Sequence, residues 1–143
     1  MLQRSHAIRN GIILFLLLGF YFLILDLIGL ADNVYLRLVN YIFIIGILKL
    51  TIKTAVKNGE NYLRKLIIGI ATVTIGIGLG AIGLFIYLNG IDAPIEDYVE
   101  GLIPADTYAG LSFALFIEAL SSSIIIVFIM LQFYKNEQTE KIK

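Results

Sequence analysis

Between Leu66 and Leu88 the chain carries no charged side chain. At about 1.5 Å per residue, a helix of that length crosses the roughly 30 Å hydrocarbon core of a bilayer. Three other apolar runs are long enough to do the same. Gly11 to Leu30 is uncharged as far as Asp26, Val34 to about Ala55 has Arg37, Lys49 and Lys53 near its ends, and Tyr108 to Tyr134 contains Glu118 as its one charge. Hydrocarbon offers no water to an open backbone, so each run must satisfy its own peptide groups and be helical. The expected fold is all-α: a polytopic membrane protein with one four-helix transmembrane domain over residues 1–143. The spacing predicts helices at about 11–30, 34–55, 66–88 and 108–134, an acidic loop at 89–107 and a short tail at 135–143.

Composition excludes most other classes. Hydrophobic residues make up 59% of the chain and charged ones 15%, against about a quarter in a soluble domain. Eleven bases balance eleven acids, so no global field points to nucleic acid. The absence of cysteine removes disulfides, thiolate metal sites and thiol nucleophiles, and His6 is the single histidine. No catalytic constellation, metal site or cofactor is expected, and the chain does not read as an enzyme. Its partners are expected to be the lipid bilayer and either further copies of itself or a larger membrane complex. Arg4 and Arg9 precede the first run as they would in a signal peptide, but the apolar stretch exceeds the usual 7–15 residues, so it reads as a retained helix.

The loops predict an orientation. Arg4, Arg9, Lys49, Lys53, Lys57, Arg64, Lys65, Lys135, Lys141 and Lys143 fall on one side, leaving Arg37 on the other. The positive-inside rule puts the first side, with both termini, in the cytoplasm. Asp92, Glu96, Asp97, Glu100 and Asp106 then lie outside, in a connection where Pro94 and Pro104 could bound a short surface helix.

Small residues predict the packing. Gly69, Gly76, Gly80 and Gly83 share one face of the third run, and Gly76 with Gly80 makes a GxxxG pair that lets backbones approach. That face serves either contacts within the bundle or contacts between copies. Asp26 and Arg37 flank the turn around Asp32 at similar distances and could form an ion pair near the outer surface or reach separately for headgroups. Lys49, Lys53 and Lys57 recur every four residues as a basic stripe suited to lipid headgroups.

Glu118 is the residue that most needs a reason. Counted from Tyr108 it lies about 15 Å deep, where a carboxylate costs about 2.5–3.5 kcal/mol on insertion scales and should face the bundle interior. Ser121 and Ser122 share its face, and Tyr21, Asn40 and Tyr41 are candidate hydrogen-bond neighbours. No base stands at matching depth in the sequence, which points to a neutral, hydrogen-bonded acid. Its role is either to hold helices together or to exchange a proton or ion.

Two resemblances bear on that choice. Phe113-Ala-Leu-Phe-Ile-Glu118-Ala-Leu120, with Gly76-Ile-Gly78-Leu-Gly80, resembles the ion-carrying and glycine-rich helices of rotary ATPase proteolipids. That resemblance implies Glu118 as a proton or sodium carrier, although the first two runs lack the glycine repeat of that family. Over its length the chain is similar to small four-helix bacterial inner-membrane proteins of unknown function, through the stretch Ile52 to Asn61 and the exit Tyr87-Leu-Asn-Gly-Ile-Asp92. It implies a multi-pass protein of the bacterial inner membrane. The expected function is a structural or accessory membrane module, with an ion-coupled carrier centred on Glu118 as the alternative.

Overall fold

A computed structural model describes residues 2–30, 33–92 and 107–142. All regular structure among them is helical: α1 (Leu2–Leu27), α2 (Val34–Arg37), α3 (Asn40–Lys57), α4 (Tyr62–Ile91) and α5 (Tyr108–Ile142). Four stretches are long and apolar enough to span a membrane: Ser5–Leu27, Tyr35–Lys57, Tyr62–Ile91 and Tyr108–Tyr134. The expected short helix between Pro94 and Pro104, and most of the acidic loop, lie outside the described residues.

The helix ends follow local chemistry. Gly29 and Gly59 take positive φ (76° and 75°), where glycine carries no Cβ penalty. Each closes a Schellman turn, with Leu30 N–H donating to the Leu25 carbonyl at 2.8 Å and Glu60 N–H to the Ala55 carbonyl at 3.1 Å. Asn61 caps α4 by accepting from Arg64 N–H at 2.9 Å. Asn33 accepts from Tyr35 and Leu36 N–H at 2.9 and 3.3 Å and so opens α2.

Two boundaries differ from the sequence expectation. The second run is not one helix, because Leu38 and Val39 form a turn that separates α2 from α3. The polar segment after Tyr134, expected as a separate tail, continues α5 to Ile142. Nothing in its Lys, Asn, Glu and Gln content breaks a helix, since long polar side chains keep good helix propensity once a helix is nucleated.

α4 is the hub, packing on α1, α3 and α5, while α3 also touches α1 and α5. The main core lies toward the end that carries the lysines, where Leu14, Leu48, Ile52, Val73, Val127 and Leu131 interlock. Glycines permit it. A Cβ on Gly76 would lie 2.7 Å from Leu14 Cδ2 and 3.0 Å from the Gly11 carbonyl oxygen, and one on Gly69 would lie 2.9 Å from Val127 Cγ1. The α1–α4 contact therefore depends on Gly11 facing Gly76, as a small-residue interface should. Asn10 Nδ2 adds a buried bond to Thr51 Oγ1 at 2.8 Å, tying α1 to α3. A smaller cluster, Leu88 and Leu111 with Leu84, Tyr87, Tyr108 and Leu115, joins α4 to α5 at the opposite end.

Candidate functional site

Between the main core and the Leu88–Leu111 cluster the four long helices part. A cavity of about 530 Å³ opens there, lined by residues of α1, α2, α3, α4 and α5 and by Leu38 of the turn. Four of its lining residues are buried: Leu25, Ile44, Ile77 and Leu111. Gly19 and Gly80 widen it, because a Cβ built on either would meet nothing within 4 Å. Most of its wall is aliphatic or aromatic. The exceptions are Arg37, Asn40, Tyr41, Tyr87 and Glu118.

Arg37 and Glu118 face each other at the rim, with Arg37 Nη2 3.8 Å from Glu118 Oε2. The side chains stay 29% and 49% exposed, so this ion pair is open on one side. At that distance it is a charge contact longer than a hydrogen bond. The guanidinium therefore keeps donors, and the carboxylate keeps acceptor positions, for a third group. The turn at Leu38–Val39 is a tightened one, with Val39 N–H donating to the Leu36 carbonyl at 3.2 Å and Tyr41 N–H to the Leu38 carbonyl at 3.1 Å. Tyr21 holds that arrangement by donating its hydroxyl to the Leu36 carbonyl at 2.7 Å, with its ring edge-on to Phe43 at 5.5 Å.

Asp26 accepts from the Tyr87 hydroxyl, and Arg37 stands beside Glu118. Two expectations for Glu118 differ from the structure. Glu118 does have a base beside it, because the long arginine stem covers the depth that a comparison of Cα positions leaves between them. Nor does Glu118 sit in the bundle interior. Up to Tyr134 the buried positions of α5 are Leu111, Ser112, Ser123, Val127 and Leu131, whereas Glu118 is exposed.

The remaining expected residues divide. Asn40 and Tyr41 line the same cavity as Glu118, and the Oδ1 of Asn40 is buried without a hydrogen-bond partner among the described residues. Tyr21 serves the α2 backbone instead. Ser121 is exposed and Ser122 half-buried, and neither lines the cavity, whereas Ser123 is buried and donates to the Ala119 carbonyl at 2.6 Å. Of the four glycines, Gly69 and Gly76 make close helix contacts, Gly83 meets the Phe15 ring at 3.3 Å from its would-be Cβ, and Gly80 faces the cavity. Lys49, Lys53 and Lys57 are all exposed along α3, open to headgroups.

Sequence reasoning missed Tyr87, Asn10 and Gly11. Tyr87 donates its hydroxyl to Asp26 and stands at 90° to Phe22 with centroids 5.8 Å apart. Asn10 and Gly11 carried a usable signal, an amide beside a small residue at the mouth of an apolar run. Set against known proteins, the chain matches no family model, no curated protein and no solved structure.

Proposed function

We propose that this chain is an accessory membrane module, not an enzyme, and that it works by holding an apolar or amphipathic guest in the cavity between its four long helices. The observation that carries this reading is the cavity itself: about 530 Å³, within the roughly 300–1,000 Å³ of ligand pockets, apolar with a few convergent polar groups. The Arg37–Glu118 pair supplies the polar end. We place the protein in a bacterial inner membrane, alone or within a larger complex. Four crossings put both termini on one side, and the lysine and arginine distribution favours the cytoplasm. Cysteines introduced at Glu96 and Asn58 should react from opposite sides of intact cells, and labelling of both from outside would refute that orientation.

The guest reading is tested with Gly80→Leu, which places a side chain into open space without touching a helix contact. A pyrene-labelled fatty acid should bind saturably to the wild type in nanodiscs and lose that binding in Gly80→Leu at an unchanged melting temperature. Equal binding by both proteins would overturn the reading.

A second reading, a proton- or ion-coupled carrier, is favoured by one observation, the exposure of Glu118 at the mouth of a cavity. The mainly apolar lining and the Arg37 contact weigh against it, since a carrier path is usually wet and its carboxylate free to load. Proton flux into proteoliposomes under an imposed gradient, present in the wild type and absent in Glu118→Gln, would establish it.

A further inference from the structure

We propose that the guest is a glycerophospholipid with a zwitterionic headgroup, its phosphate on Arg37, its ammonium on Glu118 and an acyl chain inside the cavity. The proposal rests on the guest-binding reading above and names its ligand class.

Charge complementarity is the first argument. The rim offers one cation and one anion, 3.8 Å apart and half open. A guest with a single negative charge would satisfy Arg37 and crowd Glu118, and a single positive charge would do the reverse. A phosphate joined to an ammonium through a short linker meets both, and each contact is a charge-assisted hydrogen bond of the stronger kind. An ammonium that keeps its N–H groups can also donate to the carboxylate, which a quaternary one cannot.

The position of the mouth is the second argument. The cavity-lining residues that are exposed are Leu23, Leu38 and Glu118. Two of these are leucines on a surface that spans a membrane, so the opening faces lipid. A bilayer lipid reaches it by lateral diffusion, whereas a water-soluble guest would have to cross the surrounding acyl chains. Elsewhere the lining includes Leu25, Ile44, Ile77 and Leu111, all buried, so the chamber is closed where they stand. A flexible acyl chain fits such a chamber from one side, while a partner helix would have to separate the four helices that line it.

Native mass spectrometry of the full chain in mild detergent tests this with three added lipids at equal concentration: phosphatidylethanolamine, phosphatidylglycerol and diacylglycerol. One phosphatidylethanolamine should be retained at least tenfold more than either of the others. Glu118→Gln and Arg37→Gln should each erase that preference, and the exchange Arg37→Glu with Glu118→Arg should restore part of it, because the zwitterion can reverse. Gly80→Leu should lower retention of all three lipids. If Gly80→Leu lowers retention but phosphatidylethanolamine is not preferred, the headgroup assignment is wrong and the cavity reading survives. If Gly80→Leu changes nothing, the cavity is not the site and both proposals fall. A preference that persists in both single-charge variants would also overturn the headgroup assignment.

Discussion

Leu48, Ile52, Val73, Val127 and Leu131, drawn from three helices, interlock with none more than 1% exposed. Further along the same helices, Tyr41, Leu84 and Glu118 border an open chamber of about 530 Å³. The two halves of the bundle use the same materials, aliphatic side chains and glycines, to opposite ends. In the lysine-rich half glycines remove volume so that backbones meet, as at Gly11 and Gly76. In the acidic half Gly19 and Gly80 remove volume that no neighbour fills. With lipid as solvent there is little hydrophobic drive to close such a space, and close packing has to be specified residue by residue.

The largest effect should come from crowding the packed half. Gly76→Leu or Gly11→Leu drives a side chain into Leu14 or Ile75 and against backbone, with first contacts at 2.7 Å in each case. Overpacking of this kind costs roughly 1–3 kcal/mol or more, and loss of the folded monomer on detergent gels or a large drop in melting temperature is expected. Wild-type behaviour of both variants would mean that α1 and α4 do not meet at these glycines.

Deleting volume in the same half should be next. Leu48→Ala is expected to cost about 2 kcal/mol, the low end for a buried leucine because the separated helix rests in lipid and not in water. Leu115→Ala, at the cavity wall, should cost clearly less, since it enlarges a space already present. Equal losses in a denaturant titration of the two variants would erase the contrast between the halves.

Smaller still is the polar tie. Asn10→Leu removes the bond to Thr51, and interhelical hydrogen bonds in membranes average about 0.6 kcal/mol with a maximum near 1.7. The double-mutant cycle with Thr51→Val should return a coupling in that range, and zero coupling would show that the bond does not join α1 to α3.

The smallest effect, with opposite sign, is predicted for Gly80→Ala. It meets nothing within 4 Å and replaces a poor helix former with the best, so it should stabilise by up to about 1 kcal/mol. Destabilisation would mean that a neighbour closes over Gly80 and that the chamber is not open there.

The four spans were legible because bilayer thickness and the need to satisfy every peptide group leave one solution for a long uncharged run. Gly69 and Gly76 were legible as packing positions for a similar reason: few residues let helix backbones touch. The role of Gly80 was not, since a glycine that makes a contact and one that leaves a gap look alike in a one-dimensional pattern. The break between α2 and α3 was hidden too, because Leu38 and Val39 are apolar and neither is glycine or proline.

The sequence by itself determined that the chain has four helices long and apolar enough to span a membrane and that Glu118 is a charge in need of a partner, because both follow from the length and apolar character of the runs. Only the tertiary structure decided who that partner is. Asp26 accepts from Tyr87, on a helix distant in sequence, and Arg37 stands beside Glu118 of α5. Ion pairing depends on where side-chain tips meet in space, and an arginine stem is long enough to override the depth at which its backbone enters the membrane.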